Sequence, residues 1–430
     1  MIAPMARVGI LAVGAGVVVV VQDVVIASKF AAGAAVDAYQ LAVSFPTMAI
    51  NVLAGGTLLA TMVPRLVQLD TAGQHLEGMA LVKQARRAMW WLLLATCAVW
   101  AVAFPYVART VATGFAESTL ATATRLTWLH LLSLLLTGMA WVDVAVQSSR
   151  GRFWLLSLTP AFGPAGATLG VLLASDWLGI GAASVGTVAA SAALWAVART
   201  TTARLIGRVA PGAPPAPVGP AILGGAYATA AGGAMFLGGI LLSDTWMAST
   251  LPAGSSATFA YATRPVILSL AFVTTTAGNV LLPAFSRLVA NGEYGRLRRQ
   301  FLLSAAVLVV ATTPAVVLVF VEAATVVALM YERGTFTPAD TANVAAVQRI
   351  YVLQLPWFLV AMLGWRVMNS LQRNASLLVS TVVAFAVNIG VDVWLAPSYG
   401  LAGIAWGTNL AFVALAVLVL LPLVVARPRG

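Results

Sequence analysis

Long apolar runs recur along this entire chain, and they limit its fold more than any other feature of the sequence. Runs of about 20 apolar residues return from one end to the other, 61% of the residues are hydrophobic, and 9% are charged. Segments of this kind cross a bilayer as α-helices, because each backbone N–H and C=O then finds a partner within its own segment. The sequence therefore predicts an all-α integral membrane protein.

Twelve membrane spans are predicted, six in each half of the chain. Each span corresponds to one apolar run, and polar, Gly or Pro residues separate it from the next. The predicted spans are roughly 8–28, 38–63, 88–110, 126–148, 153–174, 178–199, 221–243, 257–285, 301–321, 344–368, 374–396 and 402–425. An even number of spans places both termini on the same side of the membrane.

The two halves of the chain repeat each other at a nearly constant spacing. The segment Gln22–Ser28 is matched 221 positions later by Ser243–Ser249, and Gly179–Thr187 is matched in the same way by Gly400–Thr408. Repeated halves in a membrane are typical of transporters whose site lies between the repeats. Because each half has six spans, we expect two parallel six-helix lobes around a central cavity.

A proline-rich segment marks the boundary between the halves. Five prolines lie between residues 211 and 220, where they prevent a regular helix. The predicted organisation is an N-terminal lobe at residues 1–210, a cytoplasmic linker at 211–220 and a C-terminal lobe at 221–430.

The distribution of positive charge predicts the orientation. With the N-terminus inside, 18 of the 24 Lys and Arg residues lie in cytoplasmic connections and at the termini, as expected for cytoplasmic loops. Five lie on the opposite side, namely Lys29, Arg109, Arg125, Arg333 and Arg349. This asymmetry, with attraction to the anionic inner leaflet, accounts for the net charge of +11. No nucleic-acid partner is predicted.

The motifs of common enzyme classes are missing from the sequence. The chain has two histidines, His75 and His130, and one cysteine, Cys97, and it contains no HExxH, CxxC or GxSxG motif. We therefore predict no catalytic residues, no cofactor and no resident metal site, and a single cysteine cannot form an internal disulfide. The protein is predicted not to be an enzyme.

Charged residues within spans are the main candidates for a functional site. Each costs about 2.5–3.5 kcal/mol to insert, so such residues usually face a cavity or each other. Asp23 and Arg264 are expected at similar depth, where they would form an outer-gate ion pair between the halves, or would each reach interfacial water. Pro265 favours cavity-lining backbone at Arg264. Asp244, the repeat partner of Asp23, is expected to lie at the interface.

Other polar residues within spans are expected to have structural roles. His130 is predicted to be a packed, hydrogen-bonded helix residue, and Asp143, near the cytoplasmic end of the same span, to face the headgroups. Some of the remaining polar residues within spans are expected to form hydrogen bonds between helices; these residues are Gln22, Asn51, Thr274–Thr276, Asn279, Asn388 and Asn409.

Several motifs carry a resemblance to a known family. They are Asp37-Ala38-Tyr39 with Ala42, Pro46, Ala54, Gly56 and Val63-Pro64; Tyr261-Ala262-Thr263-Arg264; Leu281–Arg287; and Tyr331–Thr341, the most specific of them. Over nearly the whole chain the sequence resembles the MurJ (MviN) lipid II flippases of the multidrug/oligosaccharidyl-lipid/polysaccharide exporter superfamily. In the last motif, Thr337 and Pro338 also predict the start of a helix.

The resemblance implies a central cavity whose arginines hold the pyrophosphate of a lipid-linked sugar. This chain has Gly16 and Gln22 where the family's first span carries Arg, Ile50-Asn51 where the second carries an Arg pair, and Gly55 in place of a Glu. Of the family's cavity charges, Asp23, Asp37 and Arg264 remain in this chain. The family also typically has two further spans, which hold the polyprenyl tail.

These observations predict a flippase-like transporter that moves lipid II, or a related polyprenyl-pyrophosphate sugar, by alternating access. It would act in the bacterial plasma membrane with both termini in the cytoplasm, with membrane lipids and a coupling cation as further partners. The predicted substrate-binding residues are Arg264, Asp23, Asp37, Gln22 and Asn51. Two alternatives stay open: a cation-coupled exporter of drugs or small molecules, and a non-transporting scaffold of envelope synthesis.

Overall fold

The computed structural model describes residues 2–206, 225–267, 285, 288–289, 291–371 and 373–425. These residues are almost entirely helical, and no β-strand occurs among them. The prediction of an all-α fold is therefore confirmed.

Among the described residues, seven α-helices precede the proline-rich segment and α8 follows it. They are α1 (Ile2–Phe30), α2 (Ala34–Ala49), α3 (Gly55–Thr71), α4 (His75–Val111), α5 (Glu117–Ser149), α6 (Trp154–Leu178), α7 (Gly181–Ile206) and α8 (Gly225–Ala248). The predicted linker at 211–220 lies outside the described residues.

Seven further helices follow. Helix α9 is described from residue 255 to 267. The others are α10 (Tyr294–Val321), α11 (Ala323–Tyr331), α12 (Pro338–Tyr351), α13 (Leu355–Ser370), α14 (Asn374–Tyr399) and α15 (Leu401–Val425).

Ten helical segments among the described residues are long and apolar enough to span a membrane. They correspond to ten of the twelve predicted spans. Helix α8 covers the predicted seventh span, and most of the predicted eighth span, 257–285, lies outside the described residues. The chain is a multi-pass membrane protein, and the predicted count of twelve is approximate.

The described chain divides into two compact units. The first comprises Met1–Ile26 and Ala34–Gly238, and the second comprises Ala27–Gly33 and Gly239–Gly430. The last turn of α1 thus belongs to the second unit, while the first part of α8 belongs to the first. The lobe boundaries predicted from the sequence stay a prediction.

Equivalent glycines end equivalent helices in the two units. Gly179 terminates α6 with φ +55°, and Gly400 terminates α14 with φ +57°. Each donates its N–H to the carbonyl four residues earlier, that of Ser175 or Ala396. Glycine adopts this left-handed conformation without the strain that a Cβ would introduce. The sequence repeat therefore corresponds to a repeated helix–turn–helix geometry.

Helix α5 forms the centre of the first unit, where it packs against α2, α3, α4 and α7.

Helices α6 and α7 approach each other closely through glycines. A Cβ on Gly166 would lie 2.2 Å from the carbonyl oxygen of Gly186, and a Cβ on Gly186 would lie 2.0 Å from that of Gly166. Contacts this short exclude any side chain at either position.

A π-helix at Ile50–Ala54 interrupts the transition from α2 to α3. The hydroxyl of Tyr227 on α8 donates a hydrogen bond to the carbonyl of Leu53 within this segment. A π-helix shifts the i→i−4 hydrogen-bond pattern by one residue, so such carbonyls can take partners from outside the helix. The segment contains Ile50 and Asn51, where the family resemblance implies an arginine pair.

In the second unit, the loop between α11 and α12 holds the end of α1. The N–H of Thr335 donates to the carbonyl of Ser28 at 2.9 Å, and Gly334 lies against the same carbonyl with φ +63°. Tyr261 donates to the carbonyl of Ala31 at 3.2 Å. The most specific family motif therefore anchors the last turn of the first helix.

The start of α12 confirms the prediction that Thr337 and Pro338 begin a helix. Thr337 is the N-cap, its hydroxyl accepts from the N–H of Asp340, and the Asp340 carboxylate accepts in return from the N–H of Thr337. Pro338 occupies the first helical position, where its missing N–H removes no hydrogen bond.

Candidate functional site

Two carboxylates lie side by side in the interior of the second unit. Asp244 on α8 and Asp392 on α14 are both 0% exposed, and they are within hydrogen-bonding reach of each other. We refer to Asp244 and Asp392 as the carboxylate pair. Asn388 precedes Asp392 by four residues, which places both side chains on one face of α14.

Hydrogen-bond donors from two helices converge on Asp244. The Asn388 Nδ2 donates to Asp244 Oδ1 at 2.8 Å. The hydroxyl of Thr408 on α15 donates to Asp244 Oδ2 at 2.6 Å. Both oxygens of Asp244 are thus satisfied, as a buried carboxylate requires.

Asp392 has a different environment. Neither of its buried carboxylate oxygens accepts a hydrogen bond from an N–H or O–H group in the described part of the chain. Gly407 leaves room for it, because a Cβ at that position would lie 1.8 Å from Asp392 Oδ1. The structure therefore accommodates a second carboxylate next to Asp244, and no N–H or O–H donor of the described residues bonds to it.

Electrostatics defines what that group can be. Two adjacent carboxylates in a region of low dielectric repel each other strongly if both are ionised, so the carboxylate pair requires a proton or a cation. Carboxylate, amide and hydroxyl oxygens are the ligands of hard cations. Among the described residues, no group of three or more His, Cys, Asp or Glu side chains could hold a metal ion. The oxygen atoms of the carboxylate pair, Asn388 and Thr408 are the kind of ligand that a small hard cation prefers. A single proton would also relieve the repulsion between the two carboxylates.

The prediction for Asp244 was wrong. Its position near the end of an apolar run suggested an interfacial residue, but α14 and α15 cover it completely. Asp392 and Thr408 were missed as site residues. The sequence did contain a signal for Asp392, because an aspartate inside an apolar span, four residues after Asn388, is a candidate functional residue.

The predicted site residues lie in both units. In the first unit Gln22, Asp23 and Asp37 are buried, whereas Asn51 is exposed at the start of the π-helix. Gln22 donates to the hydroxyl of Tyr39 at 3.1 Å. In the second unit Arg264 is half-buried on α9. Their substrate-binding roles stay predictions.

A polar cluster surrounds His130 in the first unit. Its Nε2 lies 3.0 Å from the hydroxyl of Ser184 on α7, and its ring meets that of Tyr39 edge-on with centroids 5.5 Å apart. The prediction of a packed, hydrogen-bonded residue is confirmed. Because Gln22 bonds to the same tyrosine, the cluster links α1, α2, α5 and α7.

Asp143 does not face the headgroups, as the sequence had suggested. It is 1% exposed and accepts a hydrogen bond from Arg86 of α4, while Arg199 Nη1 of α7 lies 3.9 Å away. Thr202 donates to the backbone carbonyl of Asp143 at 3.3 Å. The charge is therefore paired with arginines, and it joins α4, α5 and α7.

Together, the repeated helices, the ten described segments that are long and apolar enough to cross a bilayer and the buried carboxylates define a polytopic membrane protein with a transporter fold. The sequence model of the family "Lipid II flippase MurJ" matches residues 26–426. The chain belongs to this family.

Two relatives, both described as a probable lipid II flippase MurJ, illustrate the similarity. The protein of Thermotoga maritima is 23% identical over 398 residues, which are 92% of this chain and 79% of that protein. The protein of Rickettsia prowazekii is 25% identical over 158 residues, which are 37% of this chain and 31% of that protein. The aligned segment thus spans less than a third of the Rickettsia relative.

Solved structures share the fold. The inward closed conformation of a lipid II flippase MurJ superimposes with a TM-score of 0.82 at 17% identity, over 96% of this chain and 86% of that one. An inward-facing multidrug resistance transporter of the MATE family superimposes with a TM-score of 0.73 at 11% identity, over 95% and 96%. At these identities the comparisons show a shared fold, as the sequence resemblance implied.

Proposed function

We propose that this protein moves a lipid-linked cell-envelope precursor across the bacterial plasma membrane by alternating access. The family match over residues 26–426 carries the proposal. The repeated halves support it, because parallel repeats are a common architecture of transporters with a central site. The substrate class is lipid II or a related polyprenyl-pyrophosphate sugar.

Arg264 is the proposed contact for the pyrophosphate. A guanidinium group donates several hydrogen bonds in a fixed geometry that matches phosphate oxygens. Arg264 is half-buried on α9, within a family motif. Asp23, Asp37, Gln22 and Asn51 are proposed to line the same substrate path.

The carboxylate pair is the proposed site of the coupling cation. Asp244, Asp392 and Thr408 would supply oxygen ligands, and the two Asp392 oxygens without a described donor support the fit. A bound cation would neutralise a charge that is otherwise costly at membrane depth. In the proposed orientation both termini are cytoplasmic, which the distribution of Lys and Arg supports.

A translocation assay tests the proposal directly. In proteoliposomes that contain a labelled polyprenyl-pyrophosphate sugar, the wild-type protein is expected to expose the sugar to an external modifying enzyme. We expect Arg264→Ala to lower the rate of translocation at least about tenfold, since charge-assisted hydrogen bonds contribute about 1.5–3 kcal/mol.

The exposed Arg298 of α10 supplies the matched control, because Arg298→Ala removes a positive charge of the second unit away from the proposed path. Unchanged transport in Arg264→Ala would remove the role proposed for that residue. Absence of transport in the wild-type protein, together with failure to rescue a flippase-depleted bacterium despite normal membrane insertion, would favour a scaffold.

A second candidate function is cation-coupled export of drugs or other small molecules. The structural similarity to a MATE transporter and the carboxylate pair favour it. Efflux of a hydrophobic cation that depends on Asp23 or Asp244, without sugar-lipid transport, would support this function over the first.

A further inference from the structure

Two arginines of the first unit share one buried carboxylate. Arg86 of α4 donates a hydrogen bond to Asp143 Oδ1, and Arg199 Nη1 of α7 lies 3.9 Å from the same oxygen. The second distance is too long for a hydrogen bond. Because both arginines reach the same oxygen, their guanidinium groups are neighbours. One carboxylate balances one arginine, so the cluster keeps an uncompensated positive charge.

The two arginines differ in how far they are committed to Asp143. The Arg86 side chain is 21% exposed and bonds directly to the carboxylate. The Arg199 side chain is 48% exposed and does not come within hydrogen-bonding distance of it. A guanidinium group carries five N–H donors in one plane. Arg199 is therefore the member of the cluster that can bind a further anion.

An exposed tryptophan accompanies each arginine. Trp90 follows Arg86 by four residues on α4, and Trp195 precedes Arg199 by four residues on α7, which places each pair on one helix face. The two tryptophans are 42% and 39% exposed. The arginines lie near the start of α4 and the end of α7, so each tryptophan is one turn closer to the middle of the membrane. Tryptophan beside arginine in this order is typical of a helix at the level of the lipid headgroups.

The second repeat packs the corresponding helices without these charges. At the spacing of 221 residues, Asp143 corresponds to Gly364 and Arg199 to Leu420. Gly364 of α13 lies against α15, since a Cβ added to it would be 2.2 Å from Val419 Cγ1. Helix packing at this position therefore does not require an ion cluster. The surplus positive charge in the first unit calls for another role.

We propose that Arg199 and Trp195 bind the headgroup of an anionic phospholipid, such as phosphatidylglycerol, through its phosphate diester. The guanidinium of Arg199 donates to the phosphate oxygens, and the indole of Trp195 packs against the glycerol and the upper part of an acyl chain. Arg86 holds Asp143, so that this carboxylate does not compete for Arg199. In the proposed orientation this end of the unit lies in the cytoplasmic leaflet, whose anionic lipids attract basic residues.

A lipid fits this position better than a free anion does. Trp195 gives the site an apolar side, which a soluble phosphate ion has no group to cover. Salt also screens the attraction between a half-exposed arginine and a free anion. A lipid headgroup is held at the level of the arginine by the membrane itself, so its local concentration is high.

Thermal unfolding of the purified full chain in detergent tests the site. Phosphatidylglycerol is added in increasing amounts, with phosphatidylcholine keeping the total lipid constant. The wild-type unfolding midpoint is expected to rise with phosphatidylglycerol, because a ligand that binds the folded state stabilises it. Arg199→Ala is expected to need about tenfold more phosphatidylglycerol for the same rise, as for the loss of a charge-assisted hydrogen bond.

Three further variants separate the site from general attraction by charge. Arg199→Lys keeps the charge but loses the planar fork, so its response is expected to lie between those of the wild type and Arg199→Ala; it provides a second readout if the alanine variant folds poorly. Trp195→Ala is expected to weaken the response through the loss of apolar contact. The matched control is Arg298→Ala, which removes an exposed arginine of the second unit and is expected to match the wild type.

The inference is overturned if phosphatidylcholine alone raises the wild-type midpoint as much as phosphatidylglycerol does. It is also overturned if Arg199→Ala responds like Arg298→Ala, because the attraction is then diffuse. Inorganic phosphate at the same concentration is expected to produce no rise; if it reproduces the effect of phosphatidylglycerol, Arg199 binds a free anion and the lipid assignment is wrong. None of these measurements involves transport, so their outcome is independent of the proposed function.

Discussion

Gly407 on α15 packs against the carboxylate of Asp392, and a methyl group at position 407 would overlap with it. An added Cβ would lie 1.8 Å from the carboxylate oxygen and 3.3 Å from the carbonyl oxygen of Asn388. Because both neighbours belong to α14, the carboxylate must move or the two helices must separate. The geometry of the carboxylate pair therefore depends on a residue that has no polar atom of its own.

Gly407→Ala is expected to abolish any stabilisation of the folded protein by a coupling cation such as Na⁺. It is also expected to lower transport as far as Asp392→Asn, which removes the charge of the carboxylate. The reason is the displacement of Asp392 from Asp244. Gly390→Ala on α14 is the control, since a Cβ there meets nothing within 4 Å. Unfolding midpoints with and without Na⁺ check the prediction, and a normal Na⁺ response in Gly407→Ala would contradict it.

Asp143 illustrates a residue whose environment the sequence predicted wrongly. The sequence correctly placed Asp143 near the end of a helix, but that position does not specify which neighbouring helices present an arginine. Arg86 and Arg199 come from helices that begin or end far away along the chain. Long-range pairs of this kind follow from packing, which a periodic pattern does not encode.

Arg86→Ala is expected to destabilise the protein by about 3 kcal/mol, because it leaves a buried carboxylate with only the more distant Arg199. The neighbouring Arg87 is exposed, so Arg87→Ala is expected to change stability by less than about 0.5 kcal/mol. Denaturant or thermal unfolding compares the two variants. Equal stability of both would show that the ion pair contributes nothing measurable.

The C-terminal end of α1 is held by residues that are far away along the chain. Its final turn lies in the second unit. There Gly334 lies against the carbonyl of Ser28 and the N–H of Thr335 donates to it, while Tyr261 donates to the carbonyl of Ala31, just after the helix. The sequence predicted the cap at Thr337 correctly because capping is local. It did not predict that the motif holds α1, because that contact joins residues about 300 positions apart along the chain.

Gly334→Ala is expected to loosen this anchor. A Cβ there would lie 2.2 Å from the carbonyl oxygen of Ser28, and the φ of +63° adds strain. Gly73→Ala provides a matched control, because its φ is +72° but nothing lies within 4 Å of the added Cβ. We expect Gly73→Ala to cost about 1 kcal/mol from backbone strain alone, and Gly334→Ala to cost clearly more. Unfolding midpoints measure both, and similar losses would argue against the contact.

Across the entire chain, the sequence predicted the features that depend on regular patterns. Apolar runs predicted the helices, and the two segments that match at a spacing of 221 residues have equivalent helix ends at Gly179 and Gly400. The site was predicted less well. Asp244 was assigned to the interface and Asp392 was missed, because three separate helices complete the carboxylate pair and their faces cannot be aligned from periodicity alone.

The division of α1 and α8 between the two units has a consequence for engineering. If the chain were cut in the proline-rich segment, the N-terminal fragment would keep seven residues, Ala27–Gly33, that belong to the second unit, and it would lack Gly225–Gly238, which belongs to the first. Neither fragment would contain a complete unit. We therefore expect the two fragments to be stable when they are produced together and unstable when each is produced alone.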